Sequence, residues 1–522
     1  MRPVTRRTFL SGTASAGALL VAGPALARPL GGRTAAAEQT SRASRLFPRT
    51  RLAHADLHNH TLYSDGRGDP ALAFASMRDA GIDVAALTDH ATFSKALPEA
   101  TRELACQAEG CSLAGIDEAS WQQTKVLADG ANRDASFTAV RGFEWSSPTL
   151  GHVNVWFGQE WIDVALTGGT TTGEGIGQFA HDVPGLGPAV SGPLDQAFRA
   201  LPTAGTGMRG FYDWLATDPG RPVLGGGADA IAGFNHPGRE PGRFGAFAYD
   251  QRLAARVVSL EVFNRGEDYL FEGVDQGFAS PIAECLDAGW RVGLSGVSDE
   301  HGTDWGYPDG KGRTGLWVSE LTRAGVREAM EARRTFSTRL RGLRLDAAVN
   351  GVRMGGTVGH RSGPLTVQLD LDRGRAWWGR PLTVQLLQTG RPLPRIVHTE
   401  QVVLPRSDQP VIRFRAPVDV EDGRWLVLRV VDPTTEPDPR APKEFGGAIA
   451  YAAPFFLDPD RTPAPVRPAR PAPAVPAGDG GGGTAEPQAA PARTLPTTGA
   501  GATAAVGAAA LAAAWATRRA GG

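Results

Sequence analysis

Short apolar runs recur between Ala53 and Ser295, and almost every one stops at a histidine or a carboxylate. Ala53–Leu57 runs into His58-Asn59-His60, Ile82–Thr88 into Asp89-His90, and Phe137–Phe143 into Glu144. Val153–Phe157 follows His152, Ile231–Asn235 precedes His236, and Arg291–Ser295 precedes Asp299 and His301. Val257–Phe263 is a further run of this kind and contains Glu261. Between them lie helical stretches such as the one opened by Asp69-Pro70 and closed by Gly81, with proline inside the start and glycine at the end. Strands alternating with helices imply a parallel sheet or an α/β barrel, with functional groups at the C-terminal strand ends.

The residue types at those ends point to a cation. Side chains alternate along a strand, so His58 and His60 put both imidazoles on one side. Two neutral imidazoles so placed can bind a borderline metal, and Asp65 in the following loop adds a carboxylate. Glu144 has two oxygens and could bridge two cations. His58, His60, His90, His152, His236 and His301 are six of the ten histidines; His54, His181, His360 and His398 lie outside the pattern and are read as ordinary. Any one of the six alone is more often structural, but six in company with acidic residues do not suit core packing, because buried polar rings need partners.

After the helix expected from Thr322 to Arg333 the pattern changes. From about Leu340 to Asp458 period-2 runs such as Leu365–Leu369 and Trp425–Val430 alternate with Gly-, Pro- and Asp-rich turns, which predicts a small all-β, sandwich-like domain. Residues 459–494 are Pro-, Ala- and Gly-rich and read as an extended spacer. The long segment between His152 and His236 is rich in Gly, Thr and Pro, with a short helix expected at Phe211–Leu215. It reads as an insertion at 160–230, either a lid over the site or a surface excursion. Cys106 and Cys111 could close a small loop, and Cys285 reads as a buried thiol.

The ends read as addresses. Arg6-Arg7 before the Ala-rich run Ala14–Leu26 resembles a twin-arginine export signal over 1–27, followed by an aperiodic lead-in at 28–50. Leu495-Pro496-Thr497-Thr498-Gly499, an apolar stretch and Arg518-Arg519 resemble the wall-sorting signal of Gram-positive bacteria over 495–522. A sortase would cleave between Thr498 and Gly499. A net charge of −1 gives no long-range field for nucleic acid or an anionic membrane.

The series DLHNHTLYSDG, ALTDH, GFEW, GHVNVW, NHPGR and SDEH resembles the PHP family, named for polymerase and histidinol phosphatase domains. The resemblance implies a distorted (β/α)7 PHP-type barrel over 51–338, followed by the β domain at 339–458. It also implies two to three divalent ions of zinc, manganese or iron. One would be held by His58, His60, Glu144 and Asp299. A second would share Glu144 and take His152 and His236, and a third would take Asp65, His90 and His301. Asp89 is then expected to orient a ligand at the catalytic centre, while Glu261 receives no ligand role. An amidohydrolase barrel also opens with H-x-H, but it needs a lysine at mid-barrel, where this chain has Glu144.

Arg239 and Arg265, each just beyond a strand end, could clamp a substrate phosphate or be ordinary loop arginines. The expectation is an exported, wall-anchored phosphoesterase acting on a small phosphorylated ester, with the twin-arginine translocase, sortase and peptidoglycan as partners. Hydrolysis of a carboxylic or carbamate ester at the same site, and a wall-displayed binding role, stay open.

Overall fold

The computed structural model describes residues 42–92, 95, 115–147, 149–167, 207–222, 224–240, 242–307, 310–406 and 411–461. The export signal with Arg6 and Arg7, Cys106, Cys111, His181, the Gly168–Gly177 loop, the spacer beyond residue 461, and Thr498 and Gly499 lie outside the described residues.

The first half is a mixed α/β sheet. β1 (Arg51–Asp56) pairs in parallel with β2 (Val84–Leu87), and β2 with β4 (Thr138–Ser147); the short β3 (His90–Ala91) lies parallel to the far end of β4. β5 (Gly151–Trp156) runs antiparallel to β4, and β6 (Ile231–Phe234) antiparallel to β5. β7 (Val257–Asn264) is parallel to β6, turns back as β8 (Glu267–Asp268), and pairs in parallel with β9 (Gly293–Val297). At the other side β10 (Arg313–Val318) is antiparallel to β1, and β11 (Thr335–Thr338) is antiparallel to β10. Side chains join the two ends. Thr314 Oγ1 donates to the Gly296 carbonyl and accepts from its N–H, and Thr335 Oγ1 donates to the Leu294 carbonyl.

This order departs from uniform parallel alternation at β4–β5. Residues 148–150 alone join those strands, and a parallel crossover needs a dozen or more residues, so the chain must turn back. The turn carries His152 to the same end of the sheet as Glu144.

Helices fill other connections. α1 (Pro70–Asp79) starts with Pro70 at its first position and with the Asp69 carboxylate accepting from Ala71 N, and it ends before Gly81 at φ +84°. α2 (Glu118–Ala131) opens with a reciprocal cap between Asp117 and Ser120. α3 (Gly207–Leu215), α4 (Pro281–Asp287) and α5 (Arg323–Glu331) complete the set used here. Large apolar side chains from both described flanks of the long insertion belong to the core. Trp161, Ile162, Phe211 and Trp214 pack with Phe143 and Trp145 of β4.

The second half is all β. β12 (Arg344–Val349), β13 (Val352–Arg353), β15 (Pro364–Asp372) and β18 (Val411–Pro417) form a four-stranded antiparallel sheet; β14 (Thr357–Gly359) lies between β13 and β15 in sequence. β17 (Arg395–Val403), β16 (Pro381–Gln388), β19 (Trp425–Val431) and β20 (Ala448–Ala452) pair antiparallel in that order, and β21 (Phe455–Asp458) joins β19 to β14. Leu345, Val367 and Leu369 of the first sheet share one core with Leu386, Leu428 and Ile449 of the second. β20 pairs with β11, so the backbone ladder runs unbroken from the first half into the second. Among the described residues no helix is long and apolar enough to cross a membrane.

Candidate metal centre

The parallel strands β1, β2 and β7 and the far half of β4 end on one side of the sheet, and their ends bring the histidines together. Backbone contacts fix the His58–His60 segment from three directions: Trp156 Nε1 donates to the Leu57 carbonyl, His60 N to the Glu300 carbonyl, and Trp305 Nε1 to the His60 carbonyl.

The carboxylate of Glu144, fully buried, is the hub. Its Oε1 lies 3.1 Å from His58 Nε2 and 3.4 Å from His236 Nε2. Its Oε2 lies 2.6 Å from His90 Nδ1, 3.2 Å from His152 Nδ1 and 3.8 Å from His60 Nε2. Asn235 Nδ2 also donates to Oε1 at 2.7 Å. Asp299 Oδ1 stands 3.4 Å from His60 Nε2 and 3.6 Å from His58 Nε2. On the opposite flank Asp65 Oδ1 stands 3.1 Å from His301 Nε2, 3.4 Å from His90 Nε2 and 3.7 Å from His60 Nδ1. All nine ligand candidates read from the sequence therefore lie in one connected cluster. Three sets within it have donor atoms within 4.8 Å of one another: His60, Asp65, His90 and His301; His58, His60 and Asp299; and His90, Glu144 and His152; a fourth joins His152 and His236 to Glu240.

Burial and the neighbouring charges shift the groups of the cluster in opposite directions. Burial works to raise the Glu144 carboxyl, but His152, His58 and His90 hold it well below the usual carboxylate range. Asp299 is likewise held well below that range against burial, chiefly by His58. Burial lowers His58 and His90, yet the surrounding carboxylates lift His58 well above its usual value and His90 to about 10. His60 falls to about 3, through burial and the neighbouring His301 and His90.

The donor set fits divalent cations. Imidazole nitrogens and carboxylate oxygens are the ligands zinc, manganese and iron take. His236 Nδ1 and Glu240 Oε2 are buried and meet no hydrogen-bond partner among the described residues, an arrangement that costs free energy unless something fills it. Backbone strain collects here too. His236, Arg265 and Asp299 hold φ of 23°, 52° and 47°, a region that costs a non-glycine residue about 1–3 kcal/mol and clusters at functional sites.

Around the cluster, Asp89 accepts from Thr61 N, Thr61 Oγ1 and Ser64 Oγ at 2.7–2.9 Å, holding the turn that carries Asp65. Arg265 Nη2 lies 3.3 Å, and Arg239 Nη1 3.7 Å, from Asp299 Oδ2 at the open rim. Arg239 also donates to the Tyr269 hydroxyl, which donates to Glu267. Sequence reasoning left Glu261 without a role. The structure puts its Oε1 2.8 Å from His58 Nδ1 and its Oε2 in acceptance of His236 N and Asn264 Nδ2. Glu240 has no role in the sequence reading: it lies four residues beyond His236 in Asn235-His236-Pro237-Gly238-Arg239-Glu240, a loop rather than a helix, so that spacing does not mark it.

No family model matches the chain, and no curated protein matches it. Among solved structures it is similar to a two-domain protein from Bacteroides vulgatus containing a predicted PHP-like metal-dependent phosphoesterase. Identity is 14% and the TM-score 0.36, over 80% of this chain and 98% of that one. It is also similar to a protein from Bifidobacterium adolescentis named as an unproven metal-dependent phosphoesterase. There identity is 16% and the TM-score 0.26, over 48% of this chain and 88% of that one. Such values carry no activity across, and the chemistry has to come from the donor set.

Proposed function

We propose that this chain is a metal-dependent hydrolase of the PHP type that cleaves a phosphoester. The observation that carries the reading is the convergence of five imidazoles on Glu144, flanked by Asp65 and Asp299. On this reading His58, His60, Glu144 and Asp299 hold one ion, Glu144, His152 and His236 a second, and Asp65, His90 and His301 a third. The strands β1 to β11 of the first half then belong to a distorted (β/α)7 barrel, followed by a sandwich-like domain.

Divalent cations held here would supply Lewis acidity toward a water and toward a non-bridging ester oxygen. The chain's own residues do the rest. Arg239 and Arg265, side chains 37% and 43% exposed, stand where an entering anion would meet them, and guanidinium groups match phosphate geometry in pairs. Asp299 keeps both arginines turned toward the cluster. Asp89 keeps the Asp65 turn closed. The buried floor formed by His58, His60 and Glu144 excludes bulk water, so charge interactions there are screened little.

The ends of the chain support export by a twin-arginine route and sortase attachment to a Gram-positive wall. Immunoblotting of wall fractions from cells carrying wild-type chain or Thr498→Ala tests that address.

The purified protein is expected to contain two to three divalent ions and to release phosphate or nitrophenol from phosphomonoester or phosphodiester substrates in a chelator-sensitive way. Asp299→Ala combined with His301→Ala should abolish both properties. Normal activity and metal content in that double variant would overturn the assignment. Turnover of aryl carboxylic or carbamate esters alone would keep the hydrolase and replace its substrate class.

A further inference from the structure

We infer that Glu240 is a positioning residue that fixes the tautomers of His152 and His236 together. This rests on the reading of the cluster as a metal centre. Both rings stand between two carboxylates. On one side His152 Nδ1 and His236 Nε2 face the two oxygens of Glu144 at 3.2 and 3.4 Å. On the other, His152 Nε2 faces Glu240 Oε1 at 3.8 Å and His236 Nδ1 faces Glu240 Oε2 at 3.7 Å. The two rings use their nitrogens in opposite order, and each carboxylate meets one nitrogen from each ring.

A neutral imidazole has one proton and one lone pair, on different nitrogens. If His152 and His236 direct lone pairs toward the Glu144 side, their protons must sit on His152 Nε2 and His236 Nδ1. Glu240 has one oxygen for each. Its side chain is only 10% exposed and comes from the Asn235–Glu240 loop, four residues after His236. Glu240 Oε2 and His236 Nδ1 are both buried without a hydrogen-bond partner among the described residues, so each lacks what the other offers. A movement of roughly 1 Å brings the pairs within hydrogen-bond range. Glu261 already makes this contact with His58 Nδ1, at 2.8 Å, which leaves His58 Nε2 directed at Glu144 and Asp299. Carboxylates behind ligating histidines set ring orientation and basicity; here one side chain would serve two rings.

Glu240→Gln is the decisive variant. A glutamine offers one acceptor oxygen and one donor nitrogen, so it can satisfy one ring while opposing the other. Full-length wild-type and Glu240→Gln proteins are compared for zinc stoichiometry at saturation, zinc affinity by chelator competition, and melting temperature without metal. Long-range proton–nitrogen spectra of the zinc-loaded, histidine-labelled proteins report the tautomers. The expected result is unchanged stoichiometry, a 10- to 100-fold loss of affinity for one ion, an unchanged metal-free melting temperature, and loss of the His152 Nε2–H or the His236 Nδ1–H signature. Glu240→Asp should recover part of the affinity.

Unchanged affinity with unchanged tautomers would overturn the inference. Loss of a whole ion at saturation would also overturn it, because Glu240 would then be a ligand. A wild-type protein that binds no zinc, manganese or iron would instead remove the metal-centre reading, and this inference with it.

Discussion

The carboxylate of Glu261 is hydrogen-bonded to the ring of His58, with Oε1 2.8 Å from Nδ1 in a fully buried setting. Because its other oxygen takes His236 N, this one side chain couples the start of the cluster, after β1, to its far side, after β6. Glu261→Gln should keep the fold and weaken metal binding about 10- to 100-fold. Chelator competition on the purified variant checks this; an affinity equal to wild type would leave Glu261 a packing residue.

Arg239 and Arg265 flank Asp299 Oδ2 without being part of the buried donor set. Each charged hydrogen bond to a substrate anion contributes roughly 1.5–3 kcal/mol. Arg265→Ala is expected to lower kcat/KM by about 10- to 100-fold, with metal content unchanged. Steady-state kinetics beside elemental analysis separates this outcome from loss of the centre.

Gly66 follows Asp65, and a Cβ there would lie 2.6 Å from the His60 carbonyl carbon and from Thr61 N. Those are backbone atoms of the ligand-bearing segment and cannot swing aside. Gly66→Ala should cost about 1–3 kcal/mol of stability and lower metal occupancy, measured by urea denaturation and elemental analysis of the same sample.

Asp268 is met from the second half by Tyr451, whose hydroxyl lies 2.8 Å from Oδ2, and by Arg429 Nη2 at 3.8 Å. Arg429 is fully buried and also holds Gln385 and the carbonyls of Phe445 and Gly446. Removing one member of such a pair strands the other, at roughly 3–5 kcal/mol. Arg429→Met should show that loss in denaturant titration. Since Asp268 lies between Glu267 and Tyr269, which contact Arg239, it should also raise KM.

Burial, more than any charge, holds the His54 imidazole down at about 4, whereas in the unfolded chain it titrates near 6.5. Between those values the unfolded chain binds a proton that the folded chain refuses. This contribution to stability is therefore complete above about pH 6.5 and is lost as pH falls toward 4. Replacing His54 by leucine should flatten the acid limb by about 2 kcal/mol relative to wild type, read from urea midpoints at pH 7 and pH 4.5.

The strand-end histidines were legible because their chemistry is written next to the apolar run that places them: His58, His60, His90 and His301 each adjoin a short buried strand. The mixed α/β character and the strand-rich second half were legible from periodicity. The antiparallel turn from β4 to β5 follows from a loop length that the apolar pattern alone does not weigh. Glu261 lies in a strand whose every position is buried, so no alternation marks which side chain faces the cluster. Glu240 matters only once its loop has folded back against His152, a ring supplied by β5. The Asp268–Tyr451–Arg429 contact joins residues with no local pattern in common.

The pairing of β11 with β20 has a consequence for biosynthesis. Thr338 finds its partner in Ala450, a residue 450 − 338 = 112 positions later. At about 5–20 residues per second, the outer edge of β11 waits roughly 6–20 s for its neighbour to leave the ribosome. During that interval the nascent sheet presents unpaired backbone groups to every other chain in reach. A strand from the end of the second half is thus what seals the first half against aggregation.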